Sequence, residues 1–345
     1  MQGQNLHQVA IRAIFKRMDE IAAQCGDRFP LFRPSADSLW TLSRRGSWLG
    51  GFWAGLWWRR AAYTGSAGDH VVAESWSARL APSLREPSIN RSFVFWYGAA
   101  IGHQQSGKGQ ATDQLANQAA LAISEGFNPA LGGWTSGSGM GAGELGTRAL
   151  NVDALAPTLA LLHGYGGSEE STRAEQHLQT CLRHLATEHG AWRTNAVLDA
   201  NDALKQEVAG TWPRGQAWAM LGMAEAVRLF GEAYRQPALQ ACAYWTERWG
   251  DARQPADRTG LQIAPQDLSA QVISATAMLN LSRLIPGEHW LYQQAHRQIS
   301  AVLDVSNVAE TGQFVGHLYH VKADHELLVE SACATFFLLE NLLNL

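Results

Sequence analysis

No two cysteines fall close together in this chain: Cys25, Cys181, Cys242 and Cys333 are far apart, with no CxxC spacing. They read as four buried free thiols in a reducing compartment. Charge is also scarce, at 17% of residues with a net of −4, and no basic stripe occurs. Nucleic acid and anionic membrane are therefore poor fits as the main partner. No uncharged run approaches the roughly 20 apolar residues of a membrane span. The start, Met1-Gln-Gly-Gln-Asn-Leu-His7, lacks the basic-then-apolar layout of a signal peptide, so the expected location is cytoplasmic. No fixed internal repeat appears, which argues against a solenoid. The glycine run Gly137–Gly146 lacks the Gly-Lys-Ser/Thr ending of a phosphate loop. Gly137-Ser-Gly139 lies in a loop and is no nucleophile elbow.

What is present is a 345-residue chain, 46% hydrophobic and long enough for a large buried core. It carries 14 tryptophans, five of them (Trp40, Trp48, Trp53, Trp57, Trp58) close together. The most informative stretch is Thr211-Trp-Pro-Arg-Gly-Gln-Ala-Trp218. Pro213 suits the first turn of a helix, with Thr211 as its cap. Small residues follow at Ala219, Gly222, Ala224 and Ala226, suited to close helix packing. Two indoles beside a forked guanidinium match a ligand with apolar ring faces, hydroxyls and a carboxylate, such as a sugar acid. Two core tryptophans with a surface arginine are the equal alternative on residue types alone.

Apolar spacing of three and four (Leu6, Val9, Ala10, Ala13, Ile14, Met18, Ile21) predicts a first helix over 5–24. Further helices are expected at 50–63, 69–81, 90–104, 111–125, 148–162, 170–187, 213–230, 236–249, 267–284, 289–304 and 325–343. Gly132–Gly146 cannot be regular structure. Short strands are expected only near 261–264 and 313–321. Twelve antiparallel helices suggest an all-α (α/α)6 barrel, a single domain over 1–345. Its inner ring would be 50–63, 90–104, 148–162, 213–230, 267–284 and 325–343. Loops and helix starts at one end would line a funnel holding Trp48, Asn90, Trp134, Asp153 and Trp212–Trp218.

Seven motifs recur in order: Gly26-Asp-Arg-Phe-Pro30, Trp48-Leu-Gly-Gly-Phe-Trp-Ala-Gly55, Tyr63-Thr-Gly65, Arg148 with Val152-Asp153, Thr211–Trp218, Asp267-Leu-Ser-Ala270 and Tyr319-His-Val321. Together they resemble the unsaturated glucuronyl hydrolases (glycoside hydrolase family 88) and the related unsaturated rhamnogalacturonyl hydrolases (family 105). The resemblance implies an (α/α)6 enzyme without cofactor, monomeric or homodimeric, acting on lyase-generated oligosaccharides that end in a 4,5-unsaturated uronic acid. It also implies that Asp153 protonates the C4=C5 enol ether and activates water to add at C5. A lone carboxylate within Leu150-Asn-Val-Asp-Ala-Leu-Ala-Pro157 suits that role, because partial desolvation would raise its pKa. A helix-interior Asp bonded to nearby backbone or to Arg148 is the plainer reading. Trp48, Trp134, Trp212 and Trp218 match the family's sugar subsites. Arg214 matches an arginine suited to the uronate carboxylate, with Gln216 beside it or fixing the helix start.

The family's second aspartate, preceded by histidine, falls where this chain has Ile89 and Asn90. An amide bonds a hydroxyl but holds no proton or negative charge, and Asn90 also reads as a helix cap. A family histidine before the central motif falls near Thr194. Two other functions therefore stand beside the hydrolase: a sugar-binding pseudoenzyme, and another carbohydrate enzyme on this fold. An inverting glycosidase would need a second carboxylate roughly 6.5–9.5 Å from the first, with Glu144, Asp202 and Asp267 as candidates. An epimerase would need paired bases such as His317 and His320. With His325 these histidines have loose metal-like spacing, but no helix places them on one face with a carboxylate, so no metal site is expected.

Overall fold

The computed structural model describes residues 2–34, 38–102, 110–199, 201, 203–251, 267–322 and 325–345. Helix α2 (Gly50–Thr64) shows how the chain closes on itself. It is buried continuously from Gly50 to Trp58 and stops at Gly65, whose φ of 65° lets its N–H reach back to Ala61 O. A Cβ on Gly51 would lie 2.6 Å from the backbone of Phe93 and Val94. Only glycine permits so close an approach to α4 (Arg91–Phe95), which runs on into a π-helical turn, Trp96–Ala100.

The other long helices are α1 (Gln2–Cys25), α3 (Ala67–Ala78), α5 (Gln110–Ser124), α6 (Leu155–Tyr165), α7 (Ser168–Leu185), α8 (Pro213–Phe230), α9 (Arg235–Trp249), α10 (Leu268–Leu284), α11 (His289–Val305) and α12 (Ala332–Asn344). Among the described residues, α2, α4, α6, α8, α10 and α12 each pack on the next, and α12 packs on α2. That closes the inner ring. Around it α3 lies on α2, α5 and α7 on α6, α9 on α8, α11 on α10, and α1 on α12. The molecule is the expected (α/α)6 toroid. Its middle is plugged by aromatic rings: Phe52 stacks on Tyr97 at 4.5 Å, with Phe336, Phe337, Phe93 and Trp218 around them.

Three of the expected helices depart from their apolar patterns, two because strands take their first residues and one through a change of helix type. The expected 148–162 helix opens as strand β3 (Ala149–Asn151), which pairs with β4 (Asn195–Leu198), itself paired with β5 (Leu204–Gln206). The expected 325–343 helix opens as strand β7 (His325–Ser331), paired with β6 (Val315–Lys322). The 90–104 helix changes to π geometry at Trp96. Strands β1 (Phe29–Arg33) and β2 (Thr41–Ser43), unanticipated in the sequence, complete a sheet ordered β2-β1-β7-β6. Strand pairing with distant chain overrides local helix preference here. The expected strand near 313–321 is present, and the one near 261–264 lies outside the described residues.

Sheet and ring are fastened by a buried charge cluster. Glu330 on β7 accepts from Arg17 Nε and Nη2 at 2.9 Å each and from Arg33 Nε at 3.1 Å. Among the described residues, no helix is long and apolar enough to cross a membrane.

Candidate functional site

The inner helices run parallel, so their N-terminal ends gather at one mouth of the ring. There lies a cavity of about 480 Å³. A second cavity, lined by Arg59, Glu225, Arg228 and Glu340, opens among the C-terminal ends, and the aromatic plug separates the two. Helix N-termini present unpaired N–H groups and a partial positive charge, so the first mouth is the one suited to an anionic ligand.

Helix α8 supplies one wall. Pro213 is its first residue, and Trp212, in extended geometry, holds the cap position. Thr211, expected as the cap, instead donates to Val208 O. Arg214 and Trp218 are one turn apart and both line the cavity. The Arg214 guanidinium lies 4.6 Å from the Trp212 ring centroid, a cation–π contact. Its Nη1 pairs with the buried carboxylate of Asp267 at the head of α10. Nε and Nη2 make no hydrogen bond among the described residues. Arg214 is thus an anchored cation with one nitrogen committed.

Asp153 does not sit within a helix, as the sequence suggested. It occupies the turn between β3 and α6, where its N–H donates to Asn151 Oδ1 at 2.8 Å. Its side chain lines the cavity, and Oδ1 is inaccessible and has no hydrogen-bond partner. Burial raises its pKa to about 7, and Glu207 adds to the rise, against the opposing pull of Arg214 and of a hydrogen bond with Asn151. A carboxyl group that is half protonated near neutral pH can give a proton and take one back.

Asn90 lies on the rim, at the start of α4, but its side chain makes no cap bond. Nδ2 donates to Met140 O at 2.9 Å. Met140 belongs to the glycine loop and has φ 49°, a left-handed backbone flanked by Gly139 and Gly141. The amide therefore ties the loop over the cavity, with Gly141 against Trp48. Trp48 packs edge-on to Phe52 and 5.7 Å from Phe93. Together Trp48, Trp212 and Trp218 give the cavity broad aromatic surfaces.

Two expected site residues lie elsewhere. Trp134 is buried away from the cavity, with Nε1–H donating to Ile123 O at 2.8 Å and its ring between Phe127 and His177. Gln216 points outward from the ring: it donates to Gly190 O and Ala241 O and accepts from Trp192 N–H. It fixes the helix start, the alternative weighed for it. Glu144 is exposed and does not line the cavity, and Asp202 lies outside the described residues. Asp267 is occupied by Arg214.

The cavity also includes Glu207 and Phe93, which the sequence did not single out for it. Glu207 stands at its edge, bonded to Asn195 Nδ2, and Phe93 forms part of its floor. Glu207 lies in a polar loop with no pattern to mark it, and Phe93 reads as ordinary helix core. His317 and Tyr319 reach the cavity from β6, two residues apart and so on one face of the strand.

No family model matches the sequence, and no curated protein does. Solved structures do resemble it. An Asp-to-Asn variant of UGL with dGlcA-Glc-Rha-Glc superposes with a TM-score of 0.85 at 20% identity, over 97% of this chain and 96% of that one. Unsaturated glucuronyl hydrolase from Bacillus sp. GL1, responsible for degradation of glycosaminoglycan, gives 0.83 at 21% identity, over 98% and 96%. A possible member of the GH105 family from Klebsiella pneumoniae gives 0.75 at 16%, over 98% and 92%. At these identities the likeness establishes a shared fold from end to end.

Proposed function

We propose that this chain is a glycoside hydrolase that removes a terminal 4,5-unsaturated uronic acid from oligosaccharides, with Asp153 as both acid and base. The observation that carries the reading is a carboxyl group with a pKa of about 7 in an aromatic-walled cavity beside Arg214. The sequence motifs and the folds of the unsaturated glucuronyl hydrolases lead to the same substrate class, and one of those neighbours carries dGlcA-Glc-Rha-Glc.

The chemistry follows from one proton. Protonated Asp153 gives its proton to C4 of the enol ether, and positive charge develops at C5 and the ring oxygen. The resulting carboxylate takes a proton from water as the water oxygen bonds to C5, which restores the acid. The C5 hemiketal then opens by breaking its bond to the ring oxygen. The anomeric carbon, left as a hemiacetal, releases the neighbouring sugar. Arg214 attracts the uronate carboxylate through the nitrogens not given to Asp267, and Trp48, Trp212 and Trp218 supply apolar faces for the rings. Asn90 takes no part in proton transfer, because an amide carries no titratable proton.

The conjugated enoate absorbs in the ultraviolet, so turnover of unsaturated disaccharides is followed as a loss of absorbance, with Asp153→Asn as control. Loss that vanishes in the variant supports the hydrolase. No loss on any lyase product, with saturable quenching of tryptophan fluorescence by the same sugars, replaces it with a sugar-binding protein. Asn90 in place of an acid is the feature that favours this second reading.

A further inference from the structure

The fully buried His317 takes no part in the chemistry above, and its two ring nitrogens have different surroundings. Nδ1 lies 2.7 Å from Ser331 Oγ, while Nε2 has no hydrogen-bond partner. The ring is held in place edge-on to Tyr319 at 5.2 Å and to Trp48 at 6.3 Å. A buried ring nitrogen without a partner, on a residue that lines the cavity, calls for a ligand atom.

Ser331 decides which kind. It is fully buried and caps α12, its Oγ accepting from Ala334 N–H at 3.2 Å. A hydroxyl has one proton to give, and the acceptor within reach among the described residues is His317 Nδ1. Had Nδ1 carried the hydrogen, the Ser331 proton would be buried with nowhere to go. The serine therefore donates to Nδ1, and the imidazole proton sits on Nε2. Burial, with Arg214 nearby, drives the His317 pKa well below its ordinary value, so the ring stays neutral with one proton. The arrangement couples the first residue boundary of α12 to the floor of the cavity.

We propose that His317 is a specificity residue, locked by Ser331 as a neutral Nε2–H donor that reads the carboxylate of the sugar acid together with Arg214. A charged fork supplies attraction, and a neutral donor of fixed direction supplies selection. This rests on the proposed function for the identity of the ligand, but not for the state of the ring.

Two measurements separate the two. A two-bond proton–nitrogen correlation spectrum of the ¹⁵N-histidine-labelled protein, with His317→Asn used to assign its signal, reports which nitrogen is protonated. The expected result is the Nε2–H form from pH 6 to 8, and an Nδ1–H or charged ring overturns the proposal even if the enzyme is active. The second measurement titrates tryptophan fluorescence in the Asp153→Asn background, using a disaccharide ending in unsaturated glucuronate and the same disaccharide with its carboxylate reduced to the alcohol. His317→Asn keeps an acceptor for Ser331 but cannot reach the ligand. It is expected to bind the acid at least tenfold more weakly and to lose most of the preference over the alcohol. His317→Gln, whose amide nitrogen falls near Nε2, is expected to restore part of that preference. Equal acid preference in wild type and both folded variants overturns the proposal. If neither sugar binds the wild type, the carboxylate role falls along with the proposed function, and the spectrum alone still decides the locked donor.

Discussion

At the residue scale the decisive number is the pKa of about 7 at Asp153. Between pH 3.8 and about 7 the native state holds a proton that the unfolded chain has released, so this residue lowers stability as pH rises through that window. The gap, at about 1.4 kcal/mol per pH unit, sets a ceiling of about 4 kcal/mol. Asp153→Asn is expected to remove activity and to raise stability at pH 7.5 by up to that amount, with little gain near pH 4. Urea unfolding at both values checks it, and a variant less stable than wild type at pH 7.5 would contradict the assignment. Activity should fall as pH rises above about 7, because the proposed reaction begins with the protonated acid. The trade of stability for function is common at catalytic groups.

Asn90 acts at the scale of an element, through the glycine loop it holds. A carboxylate in its place cannot donate to Met140 O and would face that carbonyl with like charge, at a cost of about 1–3 kcal/mol. Asn90→Asp is therefore expected to free the loop, seen as faster proteolytic cleavage within 137–146 and a higher KM. Unchanged cleavage would show that the amide does not hold the loop. The sheet has a similar dependence on Glu330, which is shared by two buried arginines. Glu330→Ala removes the buried carboxylate that both guanidiniums share and should lower stability by about 3–5 kcal/mol in chemical unfolding. A loss below 1 kcal/mol would mean that water or other groups take over the arginines.

For the whole molecule, closing the ring buries groups far from the cavity as well. His177, packed beneath Trp134 and accepting from its backbone N–H, has a pKa lowered to about 4 by burial. His317 is shifted in the same direction. Below about 6.5 the unfolded chain takes up protons that the native state refuses, so stability is lost as pH falls from there towards 4. Asp153 works in the opposite direction over the same range. The acid loss should therefore be clearest in the Asp153→Asn variant, as a lower urea midpoint at pH 5 than at pH 7.5. Equal midpoints in that variant would place the two histidines in contact with solvent.

Local pattern was enough for the helices, because an apolar stripe of period 3.6 is a property of neighbouring residues. It gave α2, α8 and α10 nearly to the residue, and the alternation of deeply apolar and amphipathic members gave the ring. Trp48, Asp153, Trp212, Arg214 and Trp218 were legible as a set through their motifs, and the structure gathers all five around one cavity. Only the tertiary structure decided the remainder. Strands β3 and β7 exist because distant segments complete their hydrogen bonds, and this moves Asp153 from a helix to a turn. Gln216 and Trp134 look like ligand-binding residues by type, and the direction in which their helix or loop packs turns them into the wall. The pKa of Asp153, the anchoring of Arg214 by Asp267 and the orphaned nitrogen of His317 arise from burial and contacts across the ring, which no local stretch of sequence contains.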